Sequence, residues 1–246
     1  MKYTIRIEEW HHNQLMEWEY PYDEKAIKQV LNEVFSRQDY KKGLNYLRKI
    51  KNPVVVDLGA YVGVTPIYFS MHKGTTVYAV EPHPDTFKAL VFNTQQYPNI
   101  IPVNYAIGDK TEPRSIAQEL GKLGMSLYGN PGEARIPVRA ITIKDLFDKY
   151  KIKHVDLLKI DVENAEYEIF LSDAFDKVKD KIDFIIGESH NDVMPYEAVR
   201  SILEGKGFTV TYLPVSNVVS TFQFKMSGNK IKTVQVLLHT MFIATK

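Results

Sequence analysis

A chain of 246 residues that is 44% apolar can bury a full core, and 31 lysines and arginines against 30 acids leave a net charge of +1. Composition therefore argues against disorder and gives no global attraction to nucleic acid or anionic membrane, while the lack of cysteine excludes disulfides, thiolate zinc sites and a cysteine nucleophile. The opening "MKYTIRIEEWHHNQ" turns polar too soon for a signal peptide and no apolar run approaches the ~18 residues of a membrane helix, so a soluble cytoplasmic protein without membrane insertion is expected.

In chain order, "MKYTIRIEEW" alternates like a strand, and "YPYDEKAIKQVLNEVFSRQDY" has helical spacing through Ile27, Val30, Leu31 and Val34, with Asp23 as a cap. From Pro53 strands and helices alternate. Strands are predicted at 53–58, 75–81, 100–106, 155–161 and 183–188, and helices at 64–72, 84–96, 143–150, 165–171 and 195–206. Apolar strands separated by helices imply a parallel sheet covered on both faces. Residues 112–140 interrupt the alternation, with "RSIAQEL" and "EARIPVRAI" as a small strand pair and "GNPG" as a loop between them. The tail reads as strands at 207–215, 220–226, 231–238 and 239–246, with "SGNK" as a hairpin turn, so the sheet should end in antiparallel strands. No linker is evident. Residues 1–50 read as a strand/helix extension packed on a core of residues 51–246.

The stretch "NPVVVDLGAYVGVTPIYFS" joins the first core strand to its helix through a glycine turn, Asp57 to Gly63. In open α/β sheets, ligands bind beyond the carboxyl ends of the strands, where strand order reverses. Glycine turns also occur for packing alone, but here the next strand ends in "VYAVEPHPD", which puts Glu81 at its tip, where a carboxylate can accept both hydroxyls of a ribose. Nicotinamide sites carry G-x-G-x-x-G, whose amides cradle a pyrophosphate. The spacing Gly59-x-x-x-Gly63 differs. An acid at Asp57 repels pyrophosphate and suits the ammonium and sulfonium of S-adenosylmethionine.

These residues, with "VNYAIGD" and "VDLLKIDVENAEYEIF", resemble the FkbM-type family of S-adenosylmethionine-dependent methyltransferases over roughly residues 25–190. The resemblance implies a Rossmann-like, doubly wound, mostly parallel seven-stranded α/β sheet with antiparallel C-terminal strands, and makes 51–246 the methyltransferase domain. It implies that Asp57, Gly59, Ala60 and Gly63, with Tyr61 between them, line the methionine end of the donor. Glu81 would hold the ribose with Pro82 and His83 beside it, Ala106 and Ile107 would border the adenine, and Asp161 would face the methyl group and the acceptor. Tyr61, where a small residue or Asn is usual, would narrow the pocket. Asn164 stands where the family usually has Gly, and it tolerates a left-handed backbone and can cap a helix beginning at Ala165.

"LLKIDVENAE" is unusual on physical grounds alone. Leu157, Lys159 and Asp161 share one side of a strand, so Lys159 needs an acidic partner, with Asp161 and Glu188 as candidates. An alcohol does not ionise unaided, and Asp161, Glu163, Glu166 and His190 are the candidate acids and bases for activating one. Asp161, Glu188 and Asp192 could instead hold magnesium, although the spacing does not require a metal. The expected function is methyl transfer from S-adenosylmethionine to a hydroxyl of a small molecule, sugar or lipid-linked glycan. A nicotinamide-dependent oxidoreductase and a non-catalytic S-adenosylmethionine-binding module are the alternatives. Nucleic acid is not an expected partner, because the chain lacks both a basic tail and an Asn-Pro-Pro-Tyr-type motif.

Overall fold

The computed structural model describes residues 2–6, 15–19, 24–117, 135–190, 196–213, 219–225, 231–237 and 239–246. Two short strands, β1 (Lys2–Arg6) and β2 (Leu15–Glu19), pair antiparallel. Helix α1 (Glu24–Leu31) passes through a π-helical turn at Asn32–Ser36 and is followed by α2 (Lys41–Leu47). The core then alternates through β3 (Val54–Leu58), α3 (Val64–Ser70), β4 (Thr76–Val80), α4 (Pro84–Thr94) and β5 (Ile100–Val103). Strands β6 (Ala106–Gly108), β7 (Glu112–Ala117) and β8 (Arg135–Thr142) form a separate small sheet. The alternation resumes with α5 (Ile143–Tyr150), β9 (Val155–Ile160), α6 (Glu166–Leu171), α7 (Asp173–Asp176), β10 (Ile182–His190), α8 (Tyr196–Gly205) and β11 (Thr209–Leu213). β12 (Val219–Lys225) and β13 (Ile231–Leu237) form a hairpin, and β14 (His239–Thr245) follows.

The main sheet has seven strands in the order β11-β14-β10-β9-β3-β4-β5, and β14 alone runs against the rest. From β3 the chain builds outward through β4 and β5, then returns to build the other way through β9 and β10. Strand order thus reverses between β3 and β9, which is where a doubly wound sheet opens its ligand crevice. Register pairs Leu58 with Ile160, and the amide of Asp161 donates to the Leu58 carbonyl (3.1 Å), so Gly59 and Asp161 meet at that point.

Period-2 alternation divides the core. Val55, Val77, Ala79 and Leu157 point to the face covered by α1 to α4, and Val56, Leu58, Val80 and Leu158 to the face covered by α5 to α8. Gly43, in the middle of α2, lets that helix lie directly on β9: a Cβ there would come within 2.7 Å of Leu157 Cδ1.

Several predicted elements change on folding. Only the first and last of the four tail strands enter the large sheet, because β12 and β13 satisfy one another over seven register pairs, and β11 is parallel to the core strands. The predicted strand 100–106 ends at Val103. There Asn104 turns its side-chain amide onto the carbonyls of Glu81 (2.8 Å) and Pro82 (3.1 Å), and Ala106 starts the small sheet. The extension holds a second helix, α2, that periodicity does not announce. The strand pair of the 112–140 segment is present as β7 and β8; "GNPG", "SGNK" and Asp23 lie outside the described residues. Among the described residues no helix is long and apolar enough to cross a membrane.

Candidate active site

Backbone geometry shapes the glycine turn before any ligand is considered. Gly59 has φ of +81°, and a Cβ there would lie 1.8 Å from the Asp161 carbonyl oxygen, so the approach of the β9 loop already demands glycine. Gly63 (φ +99°) opens α3 against α4, where a Cβ would meet Thr94 Cγ2 at 3.0 Å and Leu90 Cδ1 at 3.1 Å. The amides of Gly59 and Ala60 donate to the Val80 carbonyl (3.0 and 2.9 Å). Tyr61 adopts a left-handed φ of +52°, donates its amide to Glu81 Oε2 (3.1 Å), and packs its ring against the apolar face under α1 to α4.

Glu81, one residue beyond β4, is buried, and its other oxygen accepts the His83 amide (2.8 Å). Burial pushes its carboxyl up to about 7, against the pull of the two amides. The His83 ring has a structural task. Its Nδ1 accepts the amides of Asp85 (3.3 Å) and Thr86 (3.4 Å), capping α4 ahead of Pro84, and the ring is fully buried. Ala106 and Ile107 lie buried on β6, Ala106 beside Val138 and Ala140, Ile107 with Ile141 and Ile143.

Asp57 does not face the turn as a free anion. It is fully buried; Oδ2 accepts from Thr65 Oγ1 (2.5 Å), and Oδ1 is 3.3 Å from Lys159 Nζ. Lys159, itself buried, donates to the carbonyls of Gly59 (2.7 Å) and Leu58 (3.4 Å) and lies 3.5 Å from Asp161 Oδ2. Burial alone would lower the ammonium pKa, but the carboxylates of Asp57 and Asp161 outweigh it and hold Lys159 charged. The sequence points to Asp161 and Glu188 as partners of Lys159; the nearest carboxylate is that of Asp57, whose charge is neutralised inside the sheet. The other carboxyl groups at this end of the sheet are those of Glu81, Asp161 and Glu163.

The four candidate acids and bases converge. His190, buried at the end of β10, places Nδ1 3.0 Å from Glu166 Oε1, and Nε2 3.1 Å from Glu163 Oε2 and 3.8 Å from Asp161 Oδ1. Glu166 Oε1 also accepts the Val162 amide (2.9 Å). Burial opposes charge on the imidazole, but Glu163 and Glu166 outweigh it and push its pKa up, well above the ordinary histidine value. The side chains of Asp161 and Glu163 are 25% and 29% exposed, against 4% for His190 and 2% for Glu166, so a substrate would meet those two carboxylates.

Glu163 (φ +52°) and Asn164 (φ +78°) form two successive left-handed residues, each costing on the order of 1–3 kcal/mol, and this bend carries Glu163 back toward His190. Asn164 takes the predicted conformation but not the predicted cap. Helix α6 starts at Glu166 without a side-chain cap, and the buried Asn164 Oδ1 has no hydrogen-bond partner among the described residues. Glu188 is in electrostatic reach of Asp161, whereas Asp192 lies outside the described residues.

The family model for the methyltransferase FkbM domain matches residues 57–210, well over half of the chain and the whole stretch from Asp57 through β9 and β10. The chain belongs to the FkbM methyltransferase family. This FkbM methyltransferase is 24% identical to the hexuronic acid methyltransferase AglP of Haloferax volcanii over 196 residues, which cover 75% of this chain and 78% of AglP. It is 26% identical to the 31-O-demethyl-FK506 methyltransferase FkbM of Streptomyces tacrolimicus over 215 residues, 74% of this chain and 81% of the relative. Among solved structures, the METTL16 MTase domain aligns with a TM-score of 0.52 at 12% identity, over 87% of this chain and 68% of that one, a likeness of fold alone. The FkbM methyltransferase is S-adenosylmethionine-dependent. Its residues suit that donor: a buried carboxylate at the β4 tip, and an acidic pole beyond β9 for a sulfonium.

Sequence reasoning misses two neighbours of this site. Glu33 and Tyr40, from the helical extension, are both in electrostatic reach of Asp161. They sit more than a hundred residues from it in the chain, so no local pattern reveals them.

Proposed function

We propose that this methyltransferase alkylates a hydroxyl group of a sugar, a lipid-linked glycan or another small molecule seated over Asp161 and Glu163. One observation carries this: two partly exposed carboxylates, backed by a buried histidine, stand where β9 meets the glycine turn. The turn from Asp57 to Gly63, with Gly59, Ala60 and Tyr61, holds the methionine end of the donor. Glu81 receives the ribose hydroxyls between Pro82 and His83, with Ala106 and Ile107 toward the adenine. Residues 51–246 act as the methyltransferase domain, and residues 1–50 are an extension on it. The relatives' names, a hexuronic acid methyltransferase and a 31-O-demethyl-FK506 methyltransferase, agree with an oxygen acceptor.

Bound S-adenosylmethionine supplies a methyl group on a cationic sulfur. The chain's own task is to align the acceptor oxygen in line with the carbon–sulfur bond, exclude water and remove one proton. Asp161 and Glu163 receive the hydroxyl proton, the oxygen forms the new bond to carbon, and the pair of the broken carbon–sulfur bond stays on sulfur. Glu166, buried behind His190, fixes the imidazole, which in turn holds Glu163 in place. Transfer of labelled methyl groups to uronic-acid glycans and other polyols, read by mass spectrometry, tests this. Label recovered as a methyl ether, with loss of turnover in Glu163→Gln and Asp161→Asn, is expected. Label on nitrogen or carbon, or full turnover in both variants, would overturn it.

A further inference from the structure

The same corner of the molecule has the form of a cation site. One donor atom each from Asp161, Glu163 and His190 lies within 4.8 Å of the other two. The imidazole is buried and oriented from behind: Glu166 Oε1 engages Nδ1 at 3.0 Å and is itself fixed by the Val162 amide. That leaves Nε2 directed at the two front carboxylates. A carboxylate behind the far nitrogen of a histidine is the arrangement by which metal-binding imidazoles are held in one tautomer and orientation. The left-handed bend at Glu163 and Asn164 brings the third donor into place, and such strain persists only where surrounding structure enforces it. The His190 side of the triad is buried while Asp161 and Glu163 are partly exposed, the side from which a substrate could reach a bound ion.

We propose that Asp161, Glu163 and His190 bind one divalent cation of the Mn²⁺/Mg²⁺ class on the acceptor side of the donor pocket. Two hard carboxylate oxygens and one imidazole match that class better than a thiophilic metal. The cation's role, which rests on the hydroxyl-acceptor reading above, is to bind the acceptor oxygen and stabilise the alkoxide. The hydroxyl proton then passes to the second carboxylate oxygen of Glu163, oxygen bonds to the methyl carbon, and sulfur keeps the electron pair of the broken bond. A second group, His154, Asp156 and Asp183, lies at the opposite end of β9 and β10. His154 is exposed, and Asp156, though buried, already accepts the Val54 amide (2.7 Å), so this group serves as the internal control.

The test is titration of the chelator-treated, full-length protein with Mn²⁺, followed by the loss of the free-ion electron paramagnetic resonance signal, with Mg²⁺ as competitor. One equivalent should bind in the wild type and in His154→Ala. Asp161→Asn and Glu163→Gln should weaken binding at least tenfold, and Glu166→Gln, acting through His190, about 10- to 100-fold. No saturable Mn²⁺ binding by the wild type, or binding lost in His154→Ala but kept in Glu163→Gln, would overturn the proposal. S-adenosylmethionine affinity, measured separately by calorimetry without metal, separates the two readings. Donor binding without Mn²⁺ binding defeats the cation site alone, and Mn²⁺ binding on an acceptor that is not a hydroxyl leaves the site standing while its stated role falls.

Discussion

Lys159→Met would replace the buried ammonium with an apolar side chain of similar length. Asp57 would then keep the Thr65 hydroxyl as a donor but lose the cation 3.3 Å away, and the Gly59 carbonyl would lose its 2.7 Å donor. Breaking a buried pair by removing one member costs about 3–5 kcal/mol, and the lost hydrogen bond adds about 1 kcal/mol. For a chain of this size each kcal/mol lowers Tm by about 2–4 °C, so a fall of roughly 8–24 °C is expected. Adding Asp57→Asn removes the stranded charge, so the double variant should recover about 2–3 kcal/mol relative to additivity. Urea and thermal unfolding by circular dichroism complete the double-mutant cycle, and low and high salt should give the same coupling because the pair is dry. A Lys159→Met cost below about 1 kcal/mol, or strictly additive losses, would refute the claim that this pair holds the turn.

Glu81 titrates at about 7 in the folded chain against an ordinary 4.5, so its proton stabilises the fold fully below about 4.5, and that stabilisation is lost as pH rises through about 7. The gap is worth about 3 kcal/mol at about 1.36 kcal/mol per pH unit, and the stability difference between wild type and Glu81→Gln should change by that amount across the window; a flat difference counts against it. Donor affinity should rise as Glu81 ionises near pH 7 and lose that dependence in Glu81→Gln, as calorimetry at several pH values would show. Gly59→Ala should cost at least about 3 kcal/mol from backbone strain and collision with a carbonyl, and Gly63→Ala less, since it meets movable side chains; chemical denaturation ranks the two. Glu166→Gln should lower the pKa of His190 in an NMR titration, since one of the two carboxylates that raise it is gone; an unchanged value would dissociate the two residues.

The large sheet is legible because β3, β4 and β9 are short apolar runs followed by helical periodicity, and the switch point follows from the glycine turn after β3. Glu81 and Asp161 are legible because strand tips are where such sheets bind ligands. What escapes is whatever depends on contacts between distant segments. Lys159 announces that it needs an acid, but not that the acid is Asp57, because strand order decides it. Nothing in the sequence around Gly43 announces that a helix there must pack directly on Leu157. His83 carries a local signal: Pro84 at the first helical position and Asp85 after it mark His83 as the cap of α4. In the tail, the "SGNK" turn announces the pairing of β12 with β13, but not that the pair stays apart from the large sheet.

The placement of β14 has a consequence for how the chain is made. Among the described residues β11 has no hydrogen-bonded neighbour in the sheet except β14, which lies between it and β10 and is synthesised after it. As the polypeptide emerges from the ribosome, β3, β4, β5, β9 and β10 can assemble in turn, but β11 must wait until residues 239–245 have appeared. Until then the open edge of β10 and both edges of β11 are exposed to unwanted pairing, the condition under which nascent chains depend on chaperones. A chain ending at Leu237 should therefore lose hydrogen-exchange protection at 209–213 as well as along the outer edge of β10.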